Sequence, residues 1–418
     1  MTVKRWLGNA PATTDNWTIS LTGTVVSQTY SMTINGKSVT YTASGTETVS
    51  TILLALANAW SASTIPEFLE LTATVLPASG GPYTSMTVTQ NIPGRPSVIT
   101  VATNGVATFT ITNTTAATGP NDFTNPQNWS TGAAPANADT LVFDNGDIGC
   151  KYNLGSSLTG ITVSVESGYS GLIGLPFINS DNPNTSYNEY RATALTLTGG
   201  AAIVNAPQCG RCNLAFGPNT ASVRVLATGQ RANSTTPVVL ITGGNSSSEL
   251  DINKGDVGLA CYQGQTAIFP IIRTGYVSQP LSDVNLTIGL GATLTTLTKN
   301  GGNVTSRVGA VTINQDVSGG TLTLTDSAAV TTLNVFAGTV NLSTIGTVAT
   351  INLYGSSTLS CDGDPRAKSV TNAINVYSTA VTVIDSAKTI NGGVLTLAPS
   401  GLTSVNVQHG ANTSIVYQ

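Results

Sequence analysis

Short alternations of apolar and polar residues recur along most of this chain, and they are clearest in its last third. The segment GGTLTLTDSAAVTTLNVFAGTVNLS, residues 319–343, contains two closely similar strands, GGTLTL and AGTVNL. In both, apolar residues alternate with small polar ones, a period of two that is typical of a β-strand with one buried face. The return of the same strand predicts a repeated structural unit.

Two sets of positions repeat with nearly the same period. Glycine or serine returns every 18 residues, at Gly302, Gly320, Gly338 and Ser356. The triplets TLT, TIN, TLN and TIN follow one another at spacings of 16, 20 and 18 residues, beginning at Thr296, Thr312, Thr332 and Thr350. A fixed period of about 20 residues is typical of a solenoid. We therefore predict a right-handed parallel β-helix over residues 140–418, with coils of about 18 residues in its C-terminal half.

In a β-helix, the inward side chains of successive coils stack in columns. We expect one column to contain Leu297, Ile313, Leu333 and Ile351. We expect a second column to contain Leu322, Val340 and Leu359. Earlier segments such as SVRVLATG and PVVLITGG look longer and less regular. The rod is therefore expected to begin wide near residue 140 and to narrow toward the C-terminus.

The first part of the chain has a different pattern. Residues 30–45, YSMTINGKSVTYTASG, predict a β-hairpin, because alternating residues flank an Asn35-Gly36 type I′ turn. One helix is predicted next, with Ser44 and Glu47 as a capping box. Its apolar face has helical spacing and contains Val49, Ile52, Leu53, Leu56, Ala57 and Trp60.

Further strands are predicted at residues 69–76, 85–90 and 107–114, which gives a small sheet with one helix on it. Residues 1–118 are thus an α+β domain that we expect to act as an anchor. The segment AATGPNDFTNPQ then breaks the pattern with Gly, Pro and Asn. We assign residues 119–139 to a linker and the start of the solenoid.

Composition supports a mainly β fold and excludes some functions. Only 9% of the residues are charged, the net charge is −4, and no Lys/Arg stripe is present, so we expect no nucleic-acid partner. No apolar run approaches the roughly 20 residues that span a bilayer, so we expect no membrane partner. The start, MTVKRWLGNAPATT, lacks the apolar region of a secretory signal.

Residues that commonly carry chemistry are sparse. The one histidine, His409, lies in NVQHGANTS, where we predict a surface turn, and no serine has a visible His and Asp partner for a hydrolase triad. Cys209 and Cys212 form a Cys-x-x-Cys motif without the two further ligands of a zinc site. A local disulfide and two reduced turn thiols both remain open. The other cysteines are Cys150, Cys261 and Cys361.

Two carboxylate pairs are considered because a glycosidase needs two such groups about 5–10 Å apart. They are Asp251 with Asp256, and Asp362 with Asp364 in CDGDPRAK. We interpret the second pair as part of an inserted, salt-bridged loop, since Arg366 and Lys368 follow at once. Calcium at Asp-Gly-Asp would lack further ligands. We predict no catalytic residue, no cofactor and no metal site.

Several strings resemble hypothetical virion proteins of tailed bacteriophages and prophages of about this length. VKRWLGNAPA, TINGKSVTYTA and TVSTILLALANAW resemble their beginning. The resemblance continues through NDFTNPQNWSTGAAPANADTLVFDNG, SGLIGLP, NKGDVGLA and DPRAKSVTNAINVY, and so covers most of the chain. It implies a part of a virus particle that is assembled in the host bacterial cytoplasm, without saying which part.

Two virion roles fit a weakly charged rod with one distinct end domain. The first is a capsid decoration (cement) protein that binds the major capsid protein or other virion proteins. The second is a tail fibre or spike that meets the host. Regular coils run almost to Gln418 without a tip domain, which favours decoration. Solenoids also tend to pack side by side, so we expect a homotrimer. A polysaccharide-cleaving spike enzyme is the third alternative.

Overall fold

The structure is a computed structural model that describes residues 2–23, 27–77, 82–179, 186–231, 235–275, 283–315 and 320–390, together with the backbone of strands 394–398, 406–409 and 414–417. These residues are mainly β, as predicted. A small domain with helices is followed by a long stack of parallel strands, which confirms the solenoid. The handedness of its coils stays a prediction.

The first part of the chain folds into two antiparallel sheets with helix α1 packed on them. Its elements are β1 (Val3–Arg5), β2 (Asn16–Thr22), β3 (Thr29–Ile34), β4 (Lys37–Thr42), α1 (Val49–Ser61), α2 (Pro66–Leu69), β5 (Leu71–Leu76), β6 (Ser85–Gln90), β7 (Thr100–Thr103) and β8 (Thr108–Thr115). One sheet has the order β5-β6-β2-β8 and the other the order β4-β3-β7. The prediction of a single sheet is wrong, because β3 pairs with β7 and not with β2.

The predicted hairpin is the β3–β4 pair. Asn35 and Gly36 have φ values of 52° and 72°, the positive values that a type I′ turn requires. Ile52, Leu53, Leu56, Ala57 and Trp60 of α1 are buried as predicted, while Val49 is only partly buried.

The predicted capping box at Ser44 and Glu47 is wrong. The helix begins one turn later with Thr48 as its N-cap, and Thr48 and Thr51 form the capping box. Glu47 instead accepts hydrogen bonds from the backbone N–H groups of Ser44 and Gly45, both at 2.9 Å. These two bonds are the largest causes that lower the pKa of Glu47 to about 2.

After a 3₁₀ helix at Pro126–Asn128, the chain forms the successive strands of the solenoid. Its wide part contains β9 (Thr140–Phe143), β10 (Gly155–Val165), β11 (Ile178–Asn179), β12 (Tyr187–Asn188), β13 (Leu195–Ala206), β14 (Cys212–Ala215), β15 (Ala221–Thr228), β16 (Val239–Gly244), β17 (Glu249–Ile252), β18 (Gly255–Leu259), β19 (Ala267–Ile268), β20 (Ile271–Thr274), β21 (Val284–Ile288) and β22 (Ala292–Thr293). Strands β11 and β12 form a separate antiparallel pair that leaves the stack.

The narrow part contains β23 (Thr296–Lys299), β24 (Asn303–Ser306), β25 (Ala310–Gln315), β26 (Thr321–Leu324), β27 (Val330–Val335), β28 (Gly338–Leu342), β29 (Thr347–Leu353), β30 (Ser357–Ser360), β31 (Ser369–Val376), β32 (Thr382–Asp385), β33 (Val394–Ala398), β34 (Asn406–His409) and β35 (Ser414–Tyr417). Each coil here has two strands, and each strand pairs in parallel with the strand two places on. Earlier coils add a third short strand, β19 or β22. The predicted narrowing is confirmed.

Both predicted side-chain columns are confirmed. Consecutive parallel pairs join Leu297, Ile313, Leu333 and Ile351. A second series of pairs joins Leu322, Val340 and Leu359. All seven side chains are buried. A fully buried Leu, Ile or Val side chain contributes about 1.5–3 kcal/mol, so each coil is stabilised by its neighbours.

The first column extends through the whole solenoid. It runs in unbroken pairs from Leu141 through Val163, Ala202, Val223, Leu250 and Ile272 to Leu297 and on to Ile374, which pairs in turn with Leu397. With strands about 4.8 Å apart, the ten steps from Leu141 to Ile374 span about 50 Å. One continuous core therefore joins the wide and narrow parts.

The repeated glycines lie at a corner of the coils. Gly302, Gly320 and Gly338 have φ values of 72°, 79° and 77°, and a Cβ on Gly320 would meet the carbonyl oxygen of Gly302 at 2.2 Å. Only glycine fits such a corner without strain. The predicted fourth position of this glycine/serine repeat, Ser356, is wrong by one residue, because Gly338 pairs with Ser357.

The N-terminal strand β1 belongs to the solenoid. It pairs in parallel with β9, a contact that a boundary at residue 118 does not anticipate. Lys4 faces inward below Leu141, and its Nζ donates to the carbonyl oxygens of Ala133 and Ala134 at 3.1 and 2.6 Å. Trp6 then packs edge-on against Trp129 at 5.2 Å between ring centroids. The hydrogen-bonded ammonium group of Lys4 and the packed rings of Trp6 and Trp129 thus close the first coil.

Candidate functional site

The N-terminal domain and the wide coils meet at a cluster of buried charged and aromatic side chains. We call it the junction cluster, and it consists of Glu70, Arg95, Tyr187, Glu189, Tyr190 and Arg191. The β11–β12 pair reaches the N-terminal domain here, where Asn35 donates from Nδ2 to the carbonyl oxygen of Asn188 at 3.1 Å. The Arg191 guanidinium contacts Glu70 Oε2 at 2.7 Å and Glu189 Oε1 at 3.0 Å.

Glu70 is the centre of the junction cluster. Arg95 Nη1 and the Tyr187 hydroxyl both donate to Glu70 Oε1, at 2.8 and 2.5 Å. Burial opposes the charge of Arg191, but its contacts with Tyr190 and with the neighbouring carboxylates outweigh burial and raise the pKa of Arg191. Burial, followed by the bond to Glu70, raises the pKa of Tyr187. The cluster is a hydrogen-bonded contact that joins the domain to the solenoid.

A cleft of about 690 Å³ opens beside this cluster. We call it the junction cleft. One side is formed by the N-terminal domain around Pro93 and Arg95, and the other by loops of the wide coils. The rings of Phe177 and Tyr262 line it and stack on each other with centroids 4.2 Å apart and planes 26° apart. The Tyr262 hydroxyl lies 3.3 Å from Thr236 Oγ1, which fixes the ring.

The charged side chains of the junction cleft are all cationic among the described residues that line it. They are Arg95, Lys151 and Arg211. Asn213 also lines the cleft, and its Nδ2 donates to the carbonyl oxygens of Leu175 and Thr193. Its buried Oδ1 has no hydrogen-bond partner among the described residues, which is unusual for a buried acceptor. A cleft of one sign of charge concentrates anions.

The structure does not bring the first carboxylate pair together as a catalytic pair. Asp251 lies on β17 and binds Arg273 at 2.9 Å. Asp256 lies on β18 and binds Arg231, with Nε to Oδ2 at 2.7 Å, and also accepts from the backbone N–H of Val238 at 2.9 Å. Each carboxylate is thus held by its own cation.

The second pair is also divided between different partners. Asp364 binds Arg366 at 2.8 Å and Lys368 at 3.1 Å, as the interpretation of a salt-bridged loop predicts. Asp362 instead accepts from the backbone N–H and the hydroxyl of Ser386, at 2.7 and 2.8 Å. Hydrogen bonds from Arg366 are the largest cause that lowers the pKa of Asp364 well below its usual value.

The cysteines are free thiols in this structure. Cys209 and Cys212 form no disulfide, and both are buried in the solenoid core near Cys150 and Tyr169. Burial raises the pKa of Cys150 and of Cys212 far above the usual value of a thiol, so neither is poised for redox or nucleophilic chemistry. Over the described ranges, no three His, Cys, Asp or Glu side chains are grouped to hold a metal ion.

His409 was predicted to lie in a turn, and this is wrong. Its backbone is the last residue of β34 and pairs with Asp385 of β32. His409 thus belongs to the stack of parallel strands, which continues beyond the inserted loop that contains Asp362 and Asp364.

One face of the narrow coils carries two ladders of side chains, one of asparagines and one of aromatic rings. Asn314, Asn334, Asn352 and Asn375 are joined by side-chain amide hydrogen bonds of 2.7–2.8 Å. Beside them, the rings of Phe336, Tyr354 and Tyr377 stack at 4.7 and 4.6 Å with planes 10° and 7° apart. Within this stack the rings cover one another's faces. We therefore assign the ladders to stabilisation of the coils.

Sequence reasoning missed the junction cluster and the junction cleft. One signal was present: the segment SYNEYR, residues 186–191, concentrates two tyrosines and two charges in a chain with only 9% charged residues. This segment contacts Glu70 from a loop between irregular coils. Because the loop belongs to no sequence repeat, the repeat could not predict the contact.

Comparisons with protein families, with curated proteins and with solved structures found no match to this chain. No helix in the described part of the chain has the length and apolar character needed to cross a bilayer. The resemblance to phage virion proteins therefore stays a prediction.

Proposed function

We propose that this protein is a structural component of a tailed-phage virion, in the first place a capsid decoration protein that projects from the capsid and stabilises it without catalysis. The proposal rests on the resemblance of its sequence to phage virion proteins. Within the virion we expect it to bind the major capsid protein or other virion proteins and to form a homotrimer.

The observation that carries this proposal is the unbroken column from Leu141 to Ile374. A solenoid with one continuous core resists bending, because every coil is paired with both neighbours. The junction cluster fixes the N-terminal domain on the wide end of that rod. A rigid projection with a differently built domain at one end suits a protein that is anchored on a surface.

The state of the carboxylates supports a role without catalysis. A glycosidase needs one carboxyl group with a raised pKa and a second one free to act across the substrate. Asp251, Asp256 and Asp364 are each held by Arg or Lys side chains, and Asp362 is held by Ser386. Carboxylates that are held by such partners are typical of structural contacts and not of a catalytic pair.

Imaging of particles that carry the protein tests the proposal. We expect density at the three-fold positions of the capsid, and a mass measurement of the purified protein should give a trimer. Density confined to the tail would overturn the decoration role and favour the tail fibre or spike. Release of oligosaccharides from host polysaccharide, lost in the Asp362→Asn, Asp364→Asn variant, would favour a spike enzyme.

A further inference from the structure

We propose that strand β8 is an interface at which two copies of this chain pair edge to edge, antiparallel and about a two-fold axis. Strand β8 ends the sheet β5-β6-β2-β8, and in the described part of the chain it pairs with β2 alone. An unpaired edge exposes backbone N–H and C=O groups that can bind another strand. This inference goes beyond the virion role and does not rest on it.

The free edge of β8 is accessible. Glu70 of the junction cluster directly precedes β5, the strand at the opposite edge of the same sheet. No side chain of β8 is fully buried: six are exposed, and two, Phe109 and Ile111, are half-buried. The solenoid therefore does not cover this edge.

Strand β8 lacks the features that usually protect an edge from pairing, which are charged side chains, prolines and bulges. Its sequence, TFTITNTT, contains no charge and no proline. Its bulge, opposite Asn16 and Trp17, lies at one end, so that residues 108–113 form a regular edge. By contrast, the edge strand β4 begins with Lys37, and Pro77 follows the edge strand β5.

The sequence of β8 is complementary to itself, which selects a second copy as the partner. When two copies pair antiparallel with Thr110 opposite the partner's Thr110, Phe109 lies opposite the partner's Ile111. Thr108 then lies opposite the partner's Thr112. Cross-strand pairs of an aromatic and a β-branched residue stabilise antiparallel sheets, as do pairs of threonines. A shift by one residue would place the apolar side chains of the two copies on opposite faces.

Phe109 and Ile111 are the apolar side chains that the pairing would cover. Both pack against the core of the N-terminal domain but remain partly exposed. The ring of Phe109 meets Tyr30 edge-on with 5.9 Å between centroids. A second β8 would continue this apolar face with its own Phe and Ile side chains and remove part of it from water. Because both copies use the same strand, the contact is isologous and closes with two copies.

The size of the contact sets its strength. A single strand edge buries less than the roughly 800 Å² per partner of a stable interface, so we expect weak pairing that depends on concentration. A two-fold contact doubles the mass of the unit that forms without it, whether that unit is a monomer or the homotrimer.

Thiol cross-linking of the full chain tests the position of the two-fold axis. In the Thr110→Cys variant the two introduced thiols lie opposite each other, so a short bismaleimide should link two copies at least about tenfold faster than in Thr74→Cys. Thr74 is the matched control, because it is exposed on the same face of the sheet but lies on β5. The parent protein gives the background from Cys261, which is partly exposed. Equal rates in the two variants would overturn the proposal.

Sedimentation of the full chain over a series of concentrations measures the pairing itself, and we expect the mass of the parent protein to rise with concentration. The double variant Thr108→Lys, Thr112→Lys places like charges opposite each other and should weaken the association at least about tenfold. The double variant Thr108→Glu, Thr112→Lys places opposite charges at the same positions and should keep it. Thermal unfolding of each variant confirms its fold.

Two results of the sedimentation experiment would overturn the inference. One is equal association of the two folded charged variants, since only the proposed register distinguishes them. The other is a parent protein whose mass does not rise with concentration. A constant mass of three chains would overturn the pairing through β8 and leave the homotrimer standing, so the two proposals fail separately.

Discussion

Replacement of Arg191 by alanine is expected to weaken the attachment of the N-terminal domain more than any replacement of an exposed charge. The Arg191 guanidinium links Glu70 of the N-terminal domain to Glu189 of the solenoid. The three side chains are only 6%, 9% and 0% exposed. Arg191→Ala therefore removes a cation from between two carboxylates that remain buried.

The magnitude follows from this burial. Loss of one partner of a buried ion pair costs about 3–5 kcal/mol when the remaining charge has no other partner, and this is an upper bound here because Glu70 keeps its ion pair with Arg95. An exposed pair contributes only about 0–1 kcal/mol. Arg273, which is 43% exposed and binds Glu249 and Asp251, belongs to that second class. Arg273→Ala is thus the matched control, with the same change of residue type and two carboxylate partners.

Urea denaturation followed by tryptophan fluorescence measures the effect, since Trp17 and Trp60 lie in the N-terminal domain. We expect the transition of that domain to move to a lower urea concentration in Arg191→Ala, and limited proteolysis to cut the chain sooner near residues 186–191. The control should match the parent protein. A shift in Arg191→Ala no larger than that in Arg273→Ala would refute the view that the junction cluster fixes the domain.

Three further predictions concern the solenoid core, the helix start and the thiols. Leu333→Ala should lower the free energy of unfolding by about 2–5 kcal/mol, measured by denaturation, because Leu333 is fully buried between Ile313 and Ile351. The Glu47 carboxylate should titrate near pH 2 by NMR; its stabilising effect is complete above its usual pKa of 4.5 and is lost as the pH falls toward 2. Cys212 should react with a thiol reagent only after unfolding, because burial raises its pKa.

Each of these has its own control. Val311→Ala, at an exposed position 54% accessible, should change stability by less than about 0.5 kcal/mol. Equal losses in Val311→Ala and Leu333→Ala would contradict the assignment of the column. Glu47→Gln should remove the part of the acid dependence that lies between pH 4.5 and 2. Labelling of Cys212 in the folded protein as fast as that of the partly exposed Cys261 would contradict its burial.

The narrow coils were predictable because each coil buries the same kind of inward apolar side chain against its two neighbours. Leu333 and Ile351 must cover the side chain below and be covered by the one above, so their type and spacing repeat in the sequence. The one-residue error at Ser356 shows the limit of this reasoning. The left-handed residue at that coil is Gly355, with a φ of 52°, and equal spacing in sequence does not require equal positions in the coil.

The helix cap and the junction could not be predicted in the same way. Ser44 and Glu47 satisfy the sequence pattern of a capping box, but the box forms between Thr48 and Thr51, where a threonine stands in place of the Glu or Gln of that pattern. The junction cluster joins Glu70 to Arg191, residues that are distant in sequence and belong to no repeat. Charge pairs across such distances leave no periodic pattern.

The position of strand β1 changes the way in which the N-terminal domain is attached. Because β1 and β9 pair within the first coil, the domain built from β2 to β8 is an insertion in that coil and has two covalent connections to it. A domain on one linker rotates about it, whereas one held at both ends has far fewer orientations. A force applied to the domain would therefore reach the rod through two points of the backbone at once. The first coil also cannot close during synthesis until residues 140–143 have been made, well after the inserted domain.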